Sequence, residues 1–284
     1  MSYRELYSRL LPRYDKGEAQ AITQWVLDSR FHLSLSDALC GKVTELSPND
    51  RTELEKIFCR LEAGEPVQYV LGEAEFCGRR FHVERGVLVP RPETEELFRW
   101  ILASQDAFPD SPEVLDVGTG SGCIAITLAA ELPTASVTAW DISPEALAVA
   151  RENAKRAHVL VSFEQQDMLG KDMTSDARKW HLMVSNPPYV CQKEADQMAR
   201  HVLDYEPHVA LFVPDDDPLL FYRAIARYAT ATLRPGGWLF FEINPLFLDD
   251  LTALLAGMGF AEIEARNDQF GKARFIRATI KTTT

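Results

Sequence analysis

The sequence predicts an α/β chain: a mostly parallel sheet with helices on both faces, ended by an antiparallel pair of strands and preceded by a small helical domain. Three observations carry that prediction. After Pro112, apolar runs of strand length alternate with helical stretches, the pattern of βαβ units. The last two apolar runs are joined by only a short turn, which forces antiparallel pairing. Before Glu65, apolar side chains recur at helical spacing.

Taken in order, Leu6, Leu10 and Leu11, then Ile22, Trp25 and Val26, then Leu54, Ile57, Phe58 and Leu61 mark the stripes of four or five short helices. Ser47-Pro48-Asn49-Asp50 opens one of them, with Ser47 as cap, Pro48 in the first turn, and Asp50 and Glu53 at the positive end. Two short segments around Phe76 and Phe81 then flank a glycine-containing turn and predict a β-hairpin. A helix follows Pro90-Arg91-Pro92. Strands are predicted at residues 114–117, 137–141, 182–185 and 238–243, the last preceded by an Arg234-Pro235-Gly236-Gly237 turn, and at 261–266 and 273–279. Helices are predicted at 124–131, 144–158, 219–233 and 248–258. The expected division is a helical domain over 1–72, a hairpin hinge over 73–92, and a larger α/β domain over 93–284.

With 30 basic and 42 acidic side chains the formal charge is −12, which argues against a chain that wraps bare duplex nucleic acid. The cysteines (Cys40, Cys59, Cys77, Cys123 and Cys191) form no Cys-x-x-Cys pair and have no histidine at ligand spacing. They are expected as reduced thiols, with neither disulfides nor a metal site. The charged opening segment does not suit a secretory signal, and no apolar run is long enough to span a bilayer. A cytoplasmic, monomeric protein is the expectation.

Two motifs carry chemistry. The strand at 114–117 runs into Gly118-Thr119-Gly120-Ser121-Gly122 and then a helix, the context in which a glycine loop lets backbone approach a ligand. A dinucleotide fingerprint would want Gly or Ala at 123, where this chain has Cys123. Asp116, just before the loop, is placed to meet a cationic ligand tail or loop amides. Asp141, at the end of the next strand, is placed to accept ribose hydroxyls. Asp167 is expected at an adenine amino group and Met168 over the purine face.

The second motif, Asn186-Pro187-Pro188-Tyr189, follows the strand at 182–185 and so falls at the carboxyl edge of the sheet. An amide or aniline-like nitrogen is a poor nucleophile because its lone pair is delocalised. The Asn186 side-chain oxygen and the Pro187 carbonyl can each accept one of its N–H bonds and drive it toward tetrahedral geometry. Tyr189 can stack on the planar group, and two prolines hold the turn rigid before substrate arrives. No general base is needed, so none of the six histidines receives a catalytic role; His181 and His208 are expected to be structural or on the surface. This pattern points to methyl transfer onto a planar nitrogen, with Asn186, Pro187 and Tyr189 as the catalytic candidates.

At that level of detail the chain resembles the release factor glutamine methyltransferases. The matching segments are Glu65-Pro66-Val67-Gln68-Tyr69, Leu71-Gly72, Phe76-Cys77-Gly78, Val89 to Glu95, the glycine loop, Asn186 to Tyr189, Tyr205-Glu206-Pro207 and Ala210-Leu211. The resemblance implies a Rossmann-like class I methyltransferase sheet. It implies S-adenosylmethionine as cofactor, with S-adenosylhomocysteine as product. Its implied substrate is the glutamine amide of the Gly-Gly-Gln motif in class-I peptide chain release factors. Gly118 to Gly122 and Asp141 then match cofactor positions. Asn186 matches a residue touching both cofactor and substrate, and Pro187, Pro188 and Tyr189 match the substrate clamp. Residues 90 to 94 resemble a segment lining the approach to the methyl group, and the helical domain is implied to hold the factor. Two departures stand out: Asn244-Pro245-Leu246 where many members have Gly and Gln, and Met168 where an aromatic residue is common. The rivals are an amino-methyltransferase acting on adenine in nucleic acid, a nicotinamide oxidoreductase, and a non-catalytic scaffold. The acidic balance disfavours the first, Cys123 the second, and the intact Asn186 motif the second and third.

Overall fold

A computed structural model describes residues 1–170 and 177–280. The described chain forms two compact units, one of Met1–Glu73 with Ala199–Tyr205 and one of Ala74–Met198 with Glu206–Thr284.

The first unit holds α1 (Tyr3–Leu10), α2 (Lys16–Phe31), α3 (Leu35–Leu39), α4 (Pro48–Glu62) and α5 (Val67–Leu71), with a 3-10 turn at Lys42–Glu45. Ser2, Asp15, Ser34 and Ser47 cap the first four helices through side-chain oxygens that accept an orphan backbone N–H. Leu6, Leu10, Ile22, Val26, Leu54, Ile57, Phe58 and Leu61 lie in the core, as their spacing predicts, and Trp25 packs partly buried against it. Leu11, counted in the first stripe, is exposed where it caps the end of α1. Arg9 fastens α1 to α4 by pairing with Glu55 and Glu62 at 2.7 and 2.6 Å. Glu65, part of the Glu-Pro-Val-Gln-Tyr motif, is buried and paired twice with Arg60, at 2.7 and 2.9 Å. Arg60 also donates to the carbonyls of Tyr69 and Val70, so this motif serves local packing.

The second unit begins with the hairpin β1 (Glu73–Phe76) and β2 (Arg79–His82), turned by Cys77 and Gly78, and continues into α6 (Pro92–Ala103). Then come β3 (Glu113–Val117), α7 (Cys123–Glu131), β4 (Ser136–Asp141), α8 (Pro144–Ala157), β5 (Ser162–Gln165) and β6 (Trp180–Ser185). A small pair, β7 (Val190–Cys191) and β8 (Phe212–Val213), brackets α9 (Arg200–Tyr205), which packs within the first unit. The chain ends with α10 (Leu220–Thr232), β9 (Leu233–Glu242), α11 (Leu248–Gly257), β10 (Phe260–Asn267) and β11 (Ala273–Ile280).

Seven strands form one sheet in the order β10-β11-β9-β6-β3-β4-β5. β9, β6, β3, β4 and β5 run parallel, and β11 runs antiparallel to both of its neighbours. The terminal hairpin therefore does not simply append to an edge: its second strand enters beside β9 and pushes its first to the rim. Side chains alternate between faces as a pleated strand requires. Leu182, Val184, Trp238 and Phe240 join α6 and α7 in one apolar cluster. Met183, Leu239 and Phe241 join α10 and α11 in the other.

The expected turn at residues 234–237 lies inside β9, which pairs on either side of it and not through it. Trp180 faces Leu233, and the next register pair is Leu182 with Trp238, so four residues of β9 stand against one of β6 and the three in excess loop out as an irregularity. The Pro-Gly-Gly content reads as a turn, but parallel pairing on both sides keeps the strand continuous.

Candidate active site

The chain leaves β3 on one side of the sheet to form β4 and β5, then returns to lay β6 on the other side. The carboxyl ends of β3 and β6 thus flank a topological switch point, where open α/β sheets leave a crevice. Both sequence motifs emerge there.

On the β3 side, Gly118 N–H and Thr119 N–H donate to the Trp140 carbonyl at 2.8 and 2.9 Å, folding the loop over β4. Gly120, in the left-handed region at φ +55°, would carry a Cβ into open space. Gly122 differs: a Cβ there would meet Ile126 Cδ1 at 2.7 Å and the Ala150 Cβ at 3.1 Å. It lets α7 pack against α8, while the loop tip is left open for a ligand.

Asp116 is completely buried below this loop. One carboxyl oxygen accepts from Thr119 Oγ1 at 2.7 Å and from Ala125 N–H at 3.2 Å, and the other has no partner among the described residues. Burial pushes its pKa up to about 7, against the opposing effect of those two bonds. Asp141, at the end of β4, accepts from Gly120 N–H at 2.8 Å and Ser143 N–H at 2.9 Å. Burial raises its pKa as well.

On the β6 side, Ser185 is buried and donates to the Val117 carbonyl at 2.6 Å, stapling the end of β6 to the end of β3. Asn186 follows at once. Its amide nitrogen donates to Thr94 Oγ1 at 3.2 Å, and Thr94 donates to Glu242 at 2.7 Å. Tyr189 donates to the other oxygen of Glu242 at 2.9 Å, and burial first, then the Glu242 charge, raises its pKa well above the ordinary range. Asn244, one of the two departures from the family pattern, is buried and donates to the Tyr189 carbonyl and to Glu194 at 3.1 and 2.9 Å. In this chain it braces the turn after the second motif.

Between the two sides lies a cleft of about 310 Å³. Gly118, Gly120, Asp141, Asp167, Met168, Asn186, Pro187 and Pro188 all line it, with Trp140, Phe221 and Ile225 among its apolar walls. Thr119, Ser121, Gly122 and Tyr189 do not. Thr119 and Ser121 are buried behind the loop, Ser121 offering its carbonyl to Asn153 at 2.9 Å. Asp167 is exposed at the rim, one oxygen accepting from Leu169 N–H at 2.8 Å. His181 accepts the Glu113 N–H at 3.0 Å, a structural role.

Sequence reasoning missed a third wall, Gly86, Val87 and Leu88. That segment is anchored by Glu206, whose buried carboxylate pairs with Arg91 and accepts from Val89 N–H at 3.2 Å. Two of the segments that carried the family resemblance, 115 residues apart, thereby meet as an ion pair. The signal lay in the paired Arg91 and Glu206 motifs, though nothing local joined them.

A glycine loop and an Asn-Pro-Pro-Tyr turn converging on one switch point, on a sheet whose last strand is reversed, mark the S-adenosylmethionine-dependent methyltransferases of class I, and this chain is one of them. Family models agree: residues 100–206 match the methyltransferase small domain and residues 4–72 the PrmC N-terminal domain. A release factor glutamine methyltransferase of Bacteroides thetaiotaomicron is 44% identical, over 93% of this chain and 94% of the relative. One of Flavobacterium psychrophilum is 38% identical over 94% of each. The chain belongs to the release factor glutamine methyltransferase family. Among solved structures, the ribosomal protein L11 methylase of Lactobacillus delbrueckii subsp. bulgaricus shares the fold, at 22% identity and a TM-score of 0.50, over 70% of this chain and 84% of that one. No helix among the described residues is long and apolar enough to cross a membrane.

Proposed function

We propose that the protein methylates the side-chain amide nitrogen of the glutamine in the Gly-Gly-Gln motif of class-I peptide chain release factors. The observation that carries this reading is the placement of Asn186 and Pro187 on the wall of the same cleft as Gly118, Gly120 and Asp141. It puts two amide acceptors beside a nucleoside-sized site, in a chain whose relatives bear that name.

The residues present fit S-adenosylmethionine. Gly118 and Gly120 leave open space at the loop tip, and a buried Asp116 oxygen lacks a partner among the described residues. Gly118 to Gly122, with Thr119 and Ser121 behind the loop, shape the cofactor site, Asp141 faces the ribose, and Asp167 and Met168 serve the adenine. When bound, the cofactor supplies an electrophilic methyl group on a positively charged sulfur.

The chain's own residues then act by position and polarity. Asn186 Oδ1 and the Pro187 carbonyl each accept one N–H of the substrate amide, which weakens the conjugation of its lone pair. Each such bond contributes about 0.5–1.5 kcal/mol net, more where water is excluded. Pro187 and Pro188 fix the turn, and Tyr189, outside the cleft and anchored to Glu242 through its hydroxyl, reaches the planar amide only from beyond the cleft wall, as a stacking surface for the incoming substrate. Positive charge grows on the nitrogen during transfer and its proton leaves afterwards, so the site needs no buried base. We assign substrate recognition to the helical domain over residues 1–72, with the hairpin region 73–92 as hinge. The protein acts as a cytoplasmic monomer on a protein substrate, in keeping with its acidic balance.

The test is incubation with labelled cofactor and, separately, a release factor and DNA, followed by mass spectrometry of the factor. One added methyl on the Gly-Gly-Gln glutamine is the expected result. Label confined to nucleic acid would overturn the substrate assignment.

A further inference from the structure

We infer that Glu242 and Thr94 are positioning residues that fix which end of the Asn186 amide faces the substrate. The inference rests on the functional reading above and deepens it. Asn186 can act as an acceptor only if its oxygen, and not its NH2 group, is presented. A terminal amide has two nearly isosteric orientations, so something must choose between them.

The choice follows from counting protons. Thr94 is buried and has a single hydroxyl proton. That proton is committed to Glu242 Oε2 at 2.7 Å. Burial raises the Glu242 pKa, while the Thr94 and Tyr189 hydroxyls and the Arg274 charge oppose that rise, and with one hydroxyl donating to each of its oxygens the carboxylate acts purely as an acceptor. Toward Asn186, then, Thr94 can only accept. The group that meets it at 3.2 Å must be the NH2, and Oδ1 is turned to the opposite side of the amide.

Glu242 does this from the end of β9, the strand beside β6, and is itself buried. Its other oxygen accepts from the Tyr189 hydroxyl at 2.9 Å. One carboxylate therefore sets the polarity of Asn186 through Thr94 and the placement of Tyr189 directly. A purely structural Glu242 would need neither a hydroxyl at position 94 nor this order of donors.

The experiment compares single-turnover methyl transfer to a release factor, with enzyme in excess, by wild type and by the Thr94→Val, Thr94→Ser, Glu242→Gln, Asn186→Ala and Thr94→Val/Asn186→Ala variants. Cofactor affinity is measured alongside by calorimetry. Thr94→Val keeps the shape but removes the acceptor, and Glu242→Gln introduces a donor that can reverse the chain of bonds. Both are expected to lower the transfer rate about 10- to 100-fold, the scale of a misplaced reacting group, with cofactor affinity within about threefold of wild type. Thr94→Ser should recover most of the loss. In the double variant, Thr94→Val should cost nothing beyond Asn186→Ala, because no amide remains to orient.

Wild-type rates in Thr94→Val, the full Thr94→Val penalty on top of Asn186→Ala, or a loss confined to cofactor affinity would each overturn the inference while leaving the functional reading standing. Failure of the wild-type enzyme to methylate the factor would overturn both.

Discussion

Gly120 and Gly122 sit two residues apart in one loop and serve different ends, which substitution can separate. Gly122→Ala forces a methyl to 2.7 Å from Ile126 and 3.1 Å from Ala150 at a φ of +83°. Overpacking and left-handed strain together should cost roughly 2–4 kcal/mol in urea denaturation. Gly120→Ala meets no neighbour, so its stability loss should stay at about 1–2 kcal/mol from φ alone, with the larger effect on cofactor affinity. Equal stability losses for the two would contradict the division. Asp116 makes a second prediction. Its folded pKa of about 7 lies above the ordinary 3.8, so the folded state binds the extra proton. Its contribution is full below about pH 4 and is lost as pH rises toward about 7. Asp116→Asn should flatten that part of the stability profile relative to wild type; superimposable slopes would refute it.

The ends of β3 and β6 matter at the next scale because each launches one motif. Ser185 joins them by donating to the Val117 carbonyl. Ser185→Ala leaves that carbonyl short of a partner and should cost about 1–2 kcal/mol. The larger expected consequence is a fall in transfer rate, since the glycine loop and the Asn186 turn lose their common reference. An unchanged rate would show that the parallel ladder between β3 and β6 suffices. β11 shows what local pattern leaves undetermined. A short turn requires β10 and β11 to be antiparallel, but which of them borders β9 depends on which apolar face completes the sheet. The register of Phe275 with Glu242 and Ile276 with Phe241 settles it, burying Phe275 on one face and Ile276 on the other.

For the molecule as a whole, the two compact units suggest separable contributions to substrate handling. Removing residues 1–72 is expected to weaken reaction with an intact release factor by at least about tenfold in kcat/KM, equivalent to about 1.4 kcal/mol. Reaction with a short Gly-Gly-Gln peptide should fall much less. An equal loss on both substrates would argue that the helical unit supports the fold and not recognition. Such a comparison also tests whether the division at residue 72 is functional.

By itself the sequence determined the features encoded within a few residues of one another. These are the helical stripes of the first unit, the strand-helix alternation, the glycine loop and the Asn-Pro-Pro-Tyr turn. Hydrophobic period, glycine permissiveness and proline rigidity are local properties, so they can be read along the chain. Tertiary structure alone decided the partnerships: Arg91 with Glu206, Ser185 with Val117, and Thr94 with both Glu242 and Asn186. Those pairs lie 68 to 148 residues apart, and a buried polar group finds its partner by where the sheet brings it, which no spacing in the chain records.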